Sequence, residues 1–213
     1  MGYGLHFGWA IEGAIGSPHK VDASYLSPHV NVAARLEGAT KQYGVPFLLS
    51  GEIYDLFSPE LKNYSRLVDV ICVKGSEEPE RMYTANVSDK ALKFPKTDNL
   101  VQEMDQGRRI YSFKRILKGS MLRGNSVGPS LFEYDKDIPI ITCYIQDDFL
   151  KLYNIAMKAY VQGDWKMAQD HFSKAFELDP KDGPSSCIYS IMQAYGFNNP
   201  KDWKGYRVLN EKE

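Results

Sequence analysis

The chain has 213 residues, of which 43% are hydrophobic, 13% aromatic and 25% charged. That is enough to fill the core of one ordinary domain with an appendage, or of two small domains. The formal net charge of −1 gives no general reason to expect a polyanionic partner, and no nucleic acid is expected. Three scattered cysteines (Cys72, Cys143, Cys187) and four histidines (His6, His19, His29, His171) have no pair spacing. This argues against a disulfide framework or a zinc site and fits a reducing compartment.

In chain order, residues 3–15 (YGLHFGWAIEGAI) mix β-branched, aromatic and glycine residues as a strand pair or a bent strand does. The start also lacks the basic stretch of a signal peptide, and His6 stands where a myristoylation motif needs Ser or Thr. Ser27 followed by Pro28 predicts a helix N-cap with proline in the first turn. The helix is expected to run to Tyr43, with Val30, Ala33, Ala34 and Leu36 on its apolar side and Gly44 ending it. On that helix Asn31 and Arg35 are four residues apart and share a face. Residues 45–49 read as a short buried strand, and Ser50 as the cap of a second helix, GEIYDLF. Residues 67–87 read as strand, turn, strand, with Gly75 and Pro79 in the turn. The expected order of the first part is thus β-α-β-α-β-β, an α+β arrangement with helices packed on one sheet face.

Between 106 and 132 there are six basic residues (Arg108, Arg109, Lys114, Arg115, Lys118, Arg123) and no acidic one. Ile110, Phe113, Leu117 and Met121 recur at helical spacing, which predicts a basic amphipathic helix and a surface for an acidic partner. Beyond it the pattern is helical. Ala156, Gly163, Ala168, Phe172, Ala175 and Pro180 match a tetratricopeptide helix-turn-helix. One such unit cannot bury both of its faces and must dock on something. Residues 184–195 suggest a third, closing helix, and 203–209 (WKGYRVL) an aromatic end-piece. No apolar run approaches the ~18 residues needed to span a bilayer.

The stretch DASYLSPHVNVAARLEGATKQYGVPFLLS resembles the class III adenylate/guanylate cyclase catalytic domain, whose motif runs Asp-x-Thr/Ser, a short turn, then Val-Asn-x-Ala-x-Arg. Gly4-Leu5-His6-Phe7-Gly8 is similar to that family's Gly-Ile/Leu-His-x-Gly strand, and Val73-Lys74-Gly75 to its Val-Lys-Gly motif. Where the family usually has Gly-Asp-x before Val-Asn, this chain has Ser27-Pro28-His29. The resemblance covers roughly residues 4–88 and implies the C-terminal half of a ferredoxin-like cyclase α/β sandwich, with domain divisions at 1–88, a basic linker at 89–147 and a tetratricopeptide-like tail at 148–213. It implies that Asn31 orients the ribose, Arg35 stabilises the α-phosphate as charge builds on it, Lys74 holds the triphosphate and Ser24 faces the purine.

In that family the metal-binding aspartates and the main purine-reading lysine lie upstream of the His-containing strand, and the sequence has no counterpart to them. The expectation is therefore that Mg or Mn is bound only where a complementary cyclase-domain chain supplies the carboxylates, and that this chain alone brings no metal ligand and is inactive. The alternative is a catalytically inactive cyclase-derived scaffold in a larger assembly. In that reading the basic stretch contacts an acidic surface, a microtubule or an anionic membrane. The expected location is the cytoplasmic side, with a ciliary or cytoskeletal setting suggested by cyclase-plus-tail proteins of similar appearance.

Overall fold

The computed structural model describes residues 2–17, 19–73, 78–87, 142 and 146–209. It is a mixed α/β structure with six helices among the described residues. The chain divides into two units: Met1–Phe57, Lys62–Asn86 and Gln146–Glu213 in one, Ser58–Leu61 and Val87–Ile145 in the other. Of the second, only Ser58–Leu61, Val87 and Thr142 are described. In it, the Leu61 amide donates to Ser58 Oγ at 3.4 Å. The expected basic helix around 110–121 lies outside the described residues.

The first unit opens with β1 (Tyr3–Leu5), β2 (Ile11–Ser17) and β3 (Lys20–Leu26), followed by helix α1 (Pro28–Tyr43) and β4 (Phe47–Ser50). α1 begins and ends where the sequence places it. Ser27 is extended and its hydroxyl accepts from the His29 amide, while Gly44 closes the helix in the left-handed region at φ 62°. Next come α2 (Gly51–Asp55), α3 (Pro59–Asn63), β5 (Ser65–Val73) and β6 (Glu80–Ala85). Ser50, fully buried, stands at the N-cap of α2 as expected, with extended backbone, but its side chain makes no cap hydrogen bond. β3 and α3 are absent from the sequence reading. Lys20–Leu26 carries only a weak alternation, and Pro59–Asn63 is a bare turn and a quarter of helix.

β1 and β4–β7 form one mixed sheet in the order β1-β4-β6-β5-β7, where β7 is Arg207–Leu209. The outer pairs β1–β4 and β5–β7 are parallel and the inner pairs antiparallel. The aromatic end-piece thus contributes a strand, drawn in by main-chain pairing that composition does not reveal. β2 and β3 form a separate antiparallel hairpin, Ile11 opposite Leu26 and Ser17 opposite Lys20.

A register shift between Leu67 and Asp69 in β5 leaves Val68 and Asp69 both buried, as an inserted bulge residue does when it breaks the two-residue alternation. Asp69 accepts from Tyr43 Oη at 2.6 Å, from its neighbour Val70 N at 2.7 Å and from Arg207 Nε at 2.9 Å. Its carboxyl is pushed up by burial, against the pull of Arg207 and these hydrogen bonds. One side chain so ties α1, β5 and β7 together, and both of its oxygens accept hydrogen bonds.

The helical part consists of α4 (Asp147–Gln162), α5 (Trp165–Leu178) and α6 (Gly183–Ala194). α4 and α5 form a helix-turn-helix around Gly163 at φ 86°, with Ala156, Ala168, Phe172 and Ala175 fully buried. The small residues at facing positions permit close approach, as the repeat-like spacing implies. The pair docks on β5. Tyr153 Oη donates to the Leu67 carbonyl at 2.8 Å, and Arg66 pairs with Asp182 at the start of α6. The Arg66 guanidinium also lies 4.6 Å from the Tyr153 ring centre, within cation–π range.

Candidate functional site

The start of α1 is held from the β1 side. Ser27 Oγ donates to the Trp9 carbonyl at 2.6 Å and accepts from His29 N at 3.1 Å. The His29 ring stacks on His6 at 4.9 Å, and Trp9 meets it edge-on at 5.8 Å. His6 Nε2 and His29 Nδ1 are 2.7 Å apart, one donating and the other accepting. Gly4 of β1 and Gly8 just beyond it make this fit. A Cβ on Gly4 would run into the Ala33 carbonyl of α1, and a Cβ on Gly8 into the His29 ring. His29, which departs from the family pattern, is therefore an integral part of the helix start.

From this anchored start, α1 presents Asn31 and Arg35 to solvent. Neither side chain makes a hydrogen bond or ion pair to a described residue. Ser24, half-buried on β3, stands on the hairpin that leads into the helix, opposite Gly13 of β2. Asn31, Arg35 and Ser24 thus come from one continuous hairpin–helix segment. Lys74 lies outside the described residues, as do Arg108, Arg109, Lys114, Arg115, Lys118 and Arg123.

The hairpin itself carries an uncovered apolar surface. Ile11, Ile15, Val21, Tyr25 and Leu26 are 54–66% exposed, and Trp9 just before it is 59% exposed. By the hairpin register Ile11, Ile15 and Leu26 lie on one face and Val21 and Tyr25 on the other, so apolar side chains are exposed on both faces. A two-stranded hairpin has little stability of its own in water.

The structure also assembles a group that sequence spacing does not show. His6 of β1's end, Glu52 of α2 and Glu80 of β6 each offer a ligand atom, all within 4.8 Å of one another. The His6 side chain is only 4% exposed, and its Nδ1 lies 3.5 Å from Glu52 Oε2. Burial lowers the His6 pKa, against the opposing charge of Glu52. Burial and the neighbouring Glu52 charge push Glu80 up to about 7. These residues are far apart in the chain, and only the β1-β4-β6 strand order brings them together.

No family model matches the chain. Part of the chain is similar to an adenylate cyclase of Anabaena cylindrica, at 33% identity over 84 residues, which is 39% of this chain and 17% of that protein. Another match is to adenylate cyclase 1 of Rhizobium meliloti (strain 1021), at 39% identity over 51 residues, 24% of this chain and 8% of the relative. The chain therefore spans less than a fifth of the length of the curated relatives it matches. These partial similarities connect it with cyclase-related proteins. Among the described residues no helix is long and apolar enough to cross a membrane.

Proposed function

We propose that this chain forms one side of a shared class III cyclase site, turning a nucleoside triphosphate into a 3′,5′-cyclic nucleotide and pyrophosphate beside a complementary chain. The observation that carries the reading is the Asn31–Arg35 pair. An exposed amide and guanidinium, without a partner among the described residues, stand one helical turn apart on a helix whose start is anchored by Ser27 and His29. Arg35 places donors for developing charge on the α-phosphate, and Asn31 positions the ribose; Ser24 faces the base and Lys74 the triphosphate. Fixed donors of this kind favour a transition state in which charge builds on phosphate oxygens. None of Asn31, Arg35 and Ser24 has a carboxylate, and in this reading the complementary chain holds the Mg or Mn that the reaction needs.

The apolar side chains exposed on both faces of the hairpin support the need for that chain, because covering either face removes aliphatic or aromatic surface from water. Residues 1–88 are in this reading the cyclase-derived part, 148–213 a tetratricopeptide-like tail, and 89–147 the link. The test is cyclic nucleotide formation from ATP and from GTP by this chain mixed with a cyclase-domain chain that carries the metal carboxylates. Product formation by the mixture but by neither chain alone is expected, falling by about 10²–10³ in kcat on Arg35→Ala. Turnover unchanged by Arg35→Ala refutes the reading and leaves the scaffold role.

A further inference from the structure

We propose that His6, Glu52 and Glu80 form a divalent transition-metal site, with His6 Nδ1 and one oxygen of each carboxylate as ligands for Zn²⁺ or Mn²⁺. The proposal is independent of the cyclase reading.

The three ligand atoms already lie within 4.8 Å of one another. In a tetrahedral site with bonds of 2.0–2.2 Å, ligand atoms stand about 3.4 Å apart, so the cluster needs a contraction of about 1.4 Å at most. Glu52, with a side chain 49% exposed, can supply that movement by a change of rotamer. It also leaves a solvent route for the ion and open positions for water.

A second observation points to a ligand. Among the described residues His6 Nδ1, 3.5 Å from Glu52 Oε2, and Glu80 Oε1 are buried and have no hydrogen-bond partner, although Glu80 also shares a side-chain hydrogen bond with Glu52, and the His6 side chain is 4% exposed. Buried polar atoms are normally satisfied, and two such atoms beside one carboxylate are arranged as ligands to a cation would be. A proton satisfies one of them; a metal ion satisfies both together with Glu52.

The surrounding shell suits the role. A metal-ligating imidazole typically donates its other N–H to an acceptor that fixes its tautomer. His6 Nε2 is 2.7 Å from His29 Nδ1, so with Nδ1 free for a metal, Nε2 carries the proton and donates to His29. One imidazole with two carboxylates is a donor set for Zn²⁺ or Mn²⁺, whereas Mg²⁺ prefers oxygen alone. Because His29 opens α1, an ion here would brace β1, α2, β6 and the start of the helix that carries Asn31 and Arg35.

The test uses the isolated chain after chelator treatment and dialysis, titrated with ZnCl₂, MnCl₂ and MgCl₂ by calorimetry, with thermal unfolding followed in parallel. Expected is one Zn²⁺ or Mn²⁺ per chain, a rise in Tm with metal concentration, and much weaker Mg²⁺ binding. Glu52→Gln, at a half-exposed position that does not threaten folding, should weaken binding at least tenfold. His29→Ala should weaken it 10–100-fold while keeping one ion per chain. Absence of stoichiometric binding overturns the proposal. So does binding that survives Glu52→Gln/Glu80→Gln, which would place the ion elsewhere, or Mg²⁺ binding as tight as Zn²⁺. None of these measurements needs the complementary chain or turnover, so failure here is separable from failure of the cyclase reading.

Discussion

Asp182 joins the helical part to the sheet, and its replacement tests how that docking works. Both Asp182 and Arg66 are 7% exposed. Arg66 Nη2 donates to Asp182 Oδ1, while Asp182 Oδ2 accepts from Ser185 N at 2.9 Å and Ser185 Oγ at 2.6 Å. Asp182→Ala therefore removes two things at once. It strands a buried guanidinium, a loss of about 3–5 kcal/mol for a broken buried pair, and it deletes the N-cap of α6, worth about 1 kcal/mol. The total, about 4–6 kcal/mol, is comparable to the whole stability of a marginal domain. In urea, with a slope of about 2 kcal/mol/M, the midpoint followed by far-UV circular dichroism should fall by roughly 2–3 M. Should the variant fail to fold, Asp182→Asn retains the cap and isolates the charge. Arg66→Met/Asp182→Ala should recover most of the loss, because no uncompensated charge is left. A midpoint drop below about 0.5 M for Asp182→Ala, or a double variant as unstable as the single one, refutes the assignment of the docking to this pair.

Four further outcomes follow from the geometry. Asn31→Ala and Arg35→Ala, at exposed positions without partners among the described residues, should leave Tm unchanged within the equivalent of about 0.5 kcal/mol; a larger fall in thermal unfolding would show that the pair has a structural role. Ile15→Asp on the exposed hairpin should weaken association with the complementary chain, measured by sedimentation, without changing the unfolding midpoint of the isolated chain. Glu80 titrates natively at about 7 against an ordinary 4.5, so between those values the native state holds a proton the unfolded chain has lost, and stability falls as pH rises. Glu80→Gln should remove that slope from Tm measured between pH 5 and 8 in metal-free buffer; parallel profiles would contradict it. Gly4→Ala should destabilise by about 1–3 kcal/mol through overpacking against the α1 backbone, read as a fall in the urea midpoint, whereas an unchanged midpoint would show that β1 can shift aside.

Much of this protein was legible locally. Ser27, Pro28 and Gly44 determine where α1 starts and stops, because caps act within a turn of the residues they satisfy. The i,i+4 spacing of Asn31 and Arg35 puts them on one face in any α-helix. The small residues at 156, 163, 168 and 175 mark a helix-turn-helix in the same way. Each of these is a short-range rule, and each survives into the folded chain. Tertiary structure alone decided the rest. Val208 and its neighbours become a strand only because β5 offers an unpaired edge. Ser50 holds the N-cap position of α2, but its buried side chain makes no cap bond. Asp69 becomes the buried link between Tyr43 and Arg207 through a bulge that no residue type announces. His6, Glu52 and Glu80 meet because strand order sets β1 and β6 on either side of β4, and a pairing order is a long-range choice that local propensity does not encode. Sequence thus determined where α1 starts and stops; the sheet decided which of its side chains are buried, and it took Thr40 and Tyr43 with Leu36 while leaving Val30 and Ala34, expected on the apolar side, exposed.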